Sequence, residues 1–95
     1  MRIRKTDLAE RDLQNIYRIG QDRFGALQTV NNANALFDVF ELLAQSPLLQ
    51  RERREYSKPV RIHLFKAHVI VYSIEDDGLV ILRIVHGKQN WPELL

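Results

Sequence analysis

The spacing of the apolar residues changes at Ser46-Pro47, and this change constrains the fold more than any other feature of the sequence. Before this point apolar residues recur every three or four positions, which is the period of a helix that buries one face. After it they alternate with polar residues or run continuously, as in β-strands. Proline also disfavours helical geometry in the residue before it, so a helix ends here. The chain therefore predicts helices first and most of a sheet second.

The first predicted helix follows a short basic strand, Met1–Lys5, whose Ile3 points inward. Thr6-Asp7 begins the helix, because Asp7 can cap it and Glu10, three residues later, completes a pair similar to a capping box. Gly25 provides the C-terminal stop. The apolar residues of this helix fall on one face, and they are Ala9, Leu13, Ile16, Gly20 and Phe24.

A second helix is predicted from Ala26 to Gln45, directly after the first, so that the two form an αα-hairpin. Leu36 and Leu43 widen its apolar stripe. The stripe itself consists of Ala26, Val30, Ala33, Phe37, Phe40 and Ala44. Both helices therefore present one apolar face to the same layer.

Three strands are predicted after Pro47. The first alternates from Val60 to Leu64, with Arg61 and His63 pointing outward and Val60, Ile62 and Leu64 pointing inward. The second, His68–Ile74, has the β-branched and aromatic composition of a central strand. The turn Asp76-Asp77-Gly78 then leads into the last strand, Leu79–His86.

These elements predict an α+β fold in the order β-α-α-β-β-β. An N-terminal helical hairpin packs on a mostly antiparallel four-stranded sheet. Ninety-five residues allow a single domain, which we place at residues 1–95.

Both faces of the last strand are apolar. Strict alternation puts Val80, Leu82 and Ile84 on one face, which ends in His86, and puts Leu79, Ile81, Arg83 and Val85 on the other. The helical hairpin can cover only one of these faces. The second face therefore predicts an apolar patch that another chain covers.

The composition excludes several classes of protein. The chain has no cysteine, which excludes a disulfide scaffold, a cysteine nucleophile and a thiolate zinc site. We predict no cofactor and no metal. No stretch approaches the ~20 apolar residues of a membrane span, and the basic N-terminus has no apolar segment after it, so we expect a soluble cytoplasmic protein that does not bind membranes.

The positive charge is concentrated in one region. Residues 51–68 contain six Lys or Arg against Glu52 and Glu55, whereas the whole chain carries a formal net charge of only +2. Such a stretch can face an acidic protein or a phosphate backbone. It can equally be a solvated loop beside a strand edge, and the sequence leaves both interpretations open.

Three passages follow one another along the chain: the charged helix start Arg4–Leu13, the strand His68-Val69-Ile70-Val71-Tyr72, and the segment from Arg83 through His86-Gly87 to Trp91, with Leu94-Leu95 after it. Together they resemble the RelE/ParE superfamily of bacterial type II toxins, and within it the ParE branch, over essentially the whole chain. The resemblance implies a toxin that is held inactive by a cognate antitoxin, expected to be ParD-like. It also implies that the pair can form a higher-order hetero-oligomer.

The resemblance leaves two activities to choose between. ParE-like toxins poison DNA gyrase by binding it, whereas RelE-like toxins cleave mRNA on the ribosome. Gln89 stands where RelE-like chains tend to carry arginine, and no tyrosine follows Trp91. These departures favour gyrase inhibition without catalysis. The alternative, a ribosome-dependent mRNA endonuclease, would combine cations with a histidine base and draw on Arg61, Lys66, His68, Arg83 and His86.

The expected binding sites lie near the end of the chain. For gyrase they are Arg83, Lys88 and Trp91, with the basic stretch 51–68 as the rival location. For the antitoxin they are Leu79, Ile81, Arg83 and Val85, on the face of the last strand that the helices leave open. Arg83 is the only charge in Leu79–Val85, and we expect it to pair with an acidic group, either Glu75 or Asp77 in the chain or one across an interface.

Overall fold

The computed structural model describes all 95 residues and contains two helices and four strands in the predicted order. Their bounds are β1 Ile3–Lys5, α1 Asp7–Phe24, α2 Ala26–Gln45, β2 Arg61–Phe65, β3 His68–Glu75 and β4 Gly78–His86, followed by a 3₁₀ turn at Trp91–Leu94. The strands are ordered β1-β4-β3-β2, with β1 parallel to β4 and the other two pairs antiparallel. The predicted α+β class, with a helical hairpin on a mostly antiparallel sheet, is confirmed.

The sequence predicts Asp7 as the cap of α1, but the cap is Thr6. The Thr6 hydroxyl oxygen accepts a hydrogen bond from the backbone N–H of Ala9 at 3.1 Å. Asp7 and Glu10 lie in the first turn, where their negative charges stabilise the helix by interacting with the positive end of its dipole. The helix ends as predicted at Gly25, whose φ of 83° is one that residues with a side chain rarely adopt.

The helical hairpin packs on the sheet through its open end. Ala9 of α1 and Leu36, Phe40 and Leu43 of α2 are buried in one cluster with the sheet. Two predicted face residues near the α1–α2 connection are not buried: Phe24 is 56% exposed and Val30 41%. The predicted stripe of α2 is only partly correct, because Phe37 is 49% exposed although Leu36 beside it is buried.

Both faces of the sheet are buried, so the prediction of an uncovered second face is wrong. The helices cover one face, which includes Ile70, Tyr72, Leu79, Ile81 and Ile84. The other face is a cluster formed by Val60, Ile62, Val69, Val71, Val80, Leu82 and Val85. Tyr56, Trp91 and Leu95 pack against this second cluster, so the chain covers it with its own loop and tail.

A bulge in β4 changes which residues share a face. Val71 pairs with Arg83 and Tyr72 with Ile81, so Leu82 is an extra residue in β4 with no partner in β3. Beyond the bulge, Ile84 joins the helix face and Val85 joins the other face. The predicted alternation is therefore wrong after Leu82, because this inserted residue reverses the faces of those that follow. The predicted faces were also named in reverse, since Leu79 and Ile81 lie under the helices.

The first predicted strand after Pro47 is only partly correct. Val60 and Ile62 are buried as predicted, but Leu64 is 70% exposed, because it lies beyond the residues that cover the second face. Phe65 packs against the helix-face cluster instead. Arg61 and His63 are half-buried and not outward-facing, and both contact Gln50: Arg61 donates to its carbonyl, and a ring nitrogen of His63 lies 3.0 Å from its side-chain amide.

The edge of β4 beyond β1 is covered by α1. The pairing of β1 with β4 stops at Ile81. The Thr6 hydroxyl donates to the Leu82 carbonyl at 2.8 Å, and Asp12 Oδ2 accepts from the Ile84 backbone N–H at 2.9 Å. Asp12 also binds both Nε and Nη2 of Arg83, at 2.9 and 3.1 Å. Side chains of α1 therefore satisfy the polar groups that an unpaired strand edge would leave open.

Neither helix is both long and apolar enough to cross a membrane.

Replacement of Gly78 by alanine should destabilise the fold strongly. Gly78 has a φ of 136°, and an added Cβ would lie 2.3 Å from the Arg2 carbonyl oxygen, at the start of the β1–β4 pairing. Gly25→Ala is the matched control, because Gly25 has a φ of 83° but nothing within 4 Å of an added Cβ. We expect Gly25→Ala to cost about 1–2 kcal/mol and Gly78→Ala at least about 2 kcal/mol more, measured by urea denaturation. Equal losses would contradict the close contact with β1.

Replacement of Asp12 by alanine should cost about 3–5 kcal/mol, because it leaves the guanidinium of Arg83 and the Ile84 amide without their partner. The Asp12 and Arg83 side chains are only 12% and 18% exposed. Asp77→Ala is the control, since Asp77 pairs with Arg4 across a surface where both side chains are 54% exposed. That variant should lose about 1 kcal/mol or less in thermal or urea unfolding. Similar losses in the two variants would show that the Asp12 contacts are not part of the core.

Candidate functional site

A groove of about 790 Å³ lies between the helical hairpin and the sheet, where β3 begins and β4 ends. Most of its lining is apolar and includes Leu13, Ile16, Leu36, Phe37, Phe65 and Ile84. Two exposed arginines, Arg18 and Arg23, line it as well. The groove exists because the sheet ends before the hairpin does, which leaves the apolar stripes of both helices partly uncovered.

Arg83 lines this groove and is held in place by Asp12. The carboxylate and the guanidinium form a bidentate pair, and the hydrogen bonds that Arg83 donates to Asp12 raise the pKa of Arg83 above its ordinary value. The predicted partners of Arg83 are wrong, because Asp77 pairs with Arg4 and Glu75 accepts from the Ser73 hydroxyl. Asp12 lies 71 residues away in the sequence, and no local pattern indicates it.

His68 and His86 face each other across β3 and β4 at the groove. Their ring centroids are 5.5 Å apart in an edge-to-face arrangement. His86 Nδ1 accepts a hydrogen bond from the Lys88 backbone N–H at 3.1 Å. Burial, with a smaller effect from His86, lowers the pKa of His68 from its ordinary value, which favours the neutral imidazole. A neutral imidazole can accept a proton, so the geometry of the pair is compatible with a structural role and with the base of the nuclease alternative.

The structure brings three of the five residues of the nuclease alternative together at the groove. His68 and His86 are neighbours, and Arg83 lines the same groove. Lys66 lies at the tip of the β2–β3 hairpin, where its amine donates to Asn32 Oδ1 at 2.7 Å. Arg61 lies apart from them. It is four residues before Phe65, the strand partner of His68, so about 13 Å of β2 separates Arg61 from Phe65.

The tail packs on the second face of the sheet, against the loop that follows α2. The rings of Trp91 and Tyr56 lie 5.8 Å apart, and the Ser57 hydroxyl donates to the Leu95 carbonyl at 2.7 Å. The guanidinium of Arg53 lies 5.5 Å from the centre of the Tyr56 ring. Lys88 is exposed at the start of the tail. Two of the expected gyrase contacts, Lys88 and Trp91, thus belong to the tail, and Arg83 belongs to the groove.

The four expected antitoxin contacts differ in accessibility. Leu79 and Ile81 are fully buried under the helices, so a partner reaches them only if the hairpin moves. Arg83 and Val85 line the groove, although only 4% of Val85 is exposed. The predicted binding sites do not include the helix residues of the groove, such as Ile16 and Phe37. Their signal was present, because the two apolar stripes are longer than a four-stranded sheet can cover.

The structure holds no group of three or more His, Cys, Asp or Glu side chains that could bind a metal ion. The site is therefore a pair of surfaces, the groove on the helix side and the tail with its loop on the other side of the sheet.

Similarities of sequence and structure to known proteins show the family to which the chain belongs. Residues 3–91 match the family model described as the ParE toxin of the type II toxin-antitoxin system, parDE. The chain is 27% identical over 89 residues to Toxin ParE3 of Caulobacter vibrioides, an alignment that spans 94% of this chain and 89% of that protein. A solved structure of the chromosomal ParDE TA system from P. aeruginosa has the same fold, with a TM-score of 0.77 at 19% identity, covering 90% of this chain and 95% of the other. Because the family model matches nearly the whole chain, the protein belongs to the ParE toxin family of type II toxin–antitoxin systems.

Proposed function

We propose that the protein inhibits DNA gyrase by direct binding, without catalysis, and that a cognate ParD-like antitoxin neutralises it in the cytoplasm. The resemblance to the ParE branch implies gyrase as the target. The observation that supports the non-catalytic part is the placement of two of the three candidate catalytic cations. Arg83 forms a bidentate pair with Asp12, and Arg61 lies about 13 Å along β2 from Phe65, the strand partner of His68. A cation that is paired or distant in this way is poorly placed to stabilise a cleaving phosphate.

The groove supports the proposal of an antitoxin partner. Its lining is mostly apolar, and Arg18 and Arg23 add positive charge beside the Arg83–Asp12 pair. An amphipathic segment with acidic residues on its polar side fits this combination. Such a segment can be disordered when free and fold as it binds. Arg83 would be among its contacts, and the complex could assemble into a higher-order hetero-oligomer.

The purified toxin should inhibit the supercoiling activity of gyrase. The product of the neighbouring antitoxin gene should co-purify with the toxin and restore supercoiling when it is added back. The mass of the co-purified complex gives its stoichiometry. Folded toxin that leaves gyrase active at saturating concentration, but cleaves mRNA in a ribosome assay, would replace this proposal with the nuclease alternative.

Substitution of the two groove histidines distinguishes binding from catalysis. His68→Ala and His86→Ala should each change the toxicity less than about tenfold in variants that remain folded, because neither imidazole transfers a proton in this proposal. A general acid or base contributes about 10²- to 10⁴-fold to a rate. Thermal melting measured beside toxicity separates the two cases. Near-complete loss of toxicity at an unchanged melting temperature in either variant would favour the nuclease.

A further inference from the structure

We infer that residues 51–58 and 87–95 form one contact surface, the clasp, and that the clasp as a whole binds an acidic protein surface of gyrase. This inference rests on the proposed function, and it deepens that proposal by adding the loop to the tail. The sequence presents the basic loop and the tail as rival locations. The structure joins them.

Three contacts hold the two segments of the clasp together. The Tyr56 and Trp91 rings lie 5.8 Å apart, with 47° between their planes. The Ser57 hydroxyl binds the Leu95 carbonyl at 2.7 Å. Tyr56, Trp91 and Leu95 all pack against the same buried cluster on the second face of the sheet. The loop therefore fixes the position of the tail, and a partner that contacts one segment is adjacent to the other.

The residue types of the clasp suit a protein contact. Tyrosine, tryptophan and arginine are enriched among the residues that dominate binding energy at protein interfaces. In the clasp an aromatic pair lies at the centre, and the Arg53 guanidinium is 5.5 Å from the Tyr56 ring centre. The aromatic side chains are anchored on the sheet, so little conformational entropy is lost when they bind.

The charges of the clasp indicate an acidic partner. The two segments contain five Lys or Arg against three Glu, a net charge of +2. Two of the carboxylates are already paired within the loop, Glu55 with Arg53 and Glu52 with Arg54. Arg51, Lys58 and Lys88 are exposed and form no ion pair within the chain. These three cations are therefore available to carboxylates of a partner.

A protein fits the clasp better than a nucleic acid does. Single-stranded nucleic acids stack their bases on the open faces of aromatic rings. Tyr56 and Trp91 instead lie beside each other and pack against the buried cluster of the sheet, so neither ring is a free platform. The loop also carries carboxylates between its arginines, which a phosphate backbone would not favour.

Charge reversal tests the two segments of the clasp separately. Arg51→Glu and Lys58→Glu change the loop, and Lys88→Glu changes the tail. We expect each to weaken gyrase inhibition about tenfold with unchanged melting, and the two loop variants to keep their affinity for the antitoxin. Arg18→Glu and Arg23→Glu, in the groove, are the matched controls. They should weaken antitoxin binding and leave gyrase inhibition intact.

The outcomes separate this inference from the function on which it rests. Wild-type toxin that does not inhibit gyrase overturns both. Inhibition that is lost in Lys88→Glu but retained in Arg51→Glu and Lys58→Glu overturns the inference alone, because the tail then acts without the loop. Binding of the toxin to a 30-base-pair DNA duplex alone, weakened by the same three substitutions, also overturns it and assigns the clasp to nucleic acid.

Discussion

The hydrogen bonds of Asp12 and Thr6 to the edge of β4 determine how the two layers of this protein fit together. The strand β1 pairs with β4 only as far as Ile81. Beyond it, the Thr6 hydroxyl binds the Leu82 carbonyl, and the Asp12 carboxylate binds the Ile84 amide and the guanidinium of Arg83. The helix α1 thus takes the place of a longer β1. Because a buried strand edge must find partners, these contacts fix where α1 crosses the sheet, and the groove beside it follows from that crossing.

The strand β4 contacts nearly every other part of the structure. It pairs with β1 and β3, lies against α1, and contributes to the buried clusters on both faces. The bulge at Leu82 is what allows this. It places Leu82 and Val85 on the tail side and Ile84 on the helix side, so the end of the strand supports two surfaces at once.

The sequence predicts the elements well and their contacts poorly, for physical reasons. The helix bounds depend on local signals, such as Gly25 between the helices and the proline after Ser46, and these are confirmed. The bulge has no local signal, because an extra apolar residue in an apolar strand leaves no polar marker. The pairing of Arg83 with Asp12 spans 71 residues, and the contact of Ser57 with Leu95 spans 38. Such contacts arise from the way the layers pack, which residue periodicity does not encode.

The groove and the clasp lie on opposite sides of the sheet, yet the tail connects them. His86 and Gln89 line the groove, and Gln89 Oε1 accepts a hydrogen bond from the His86 backbone N–H at 3.1 Å. Two residues further on, Trp91 packs on the other face. The tail therefore runs from one surface around the end of β4 to the other. An antitoxin that occupies the groove, as proposed, would contact the first residues of the tail, and it could alter the position of Trp91 without covering the clasp. Neutralisation by this route requires only that binding in the groove and binding at the clasp favour different positions of the tail.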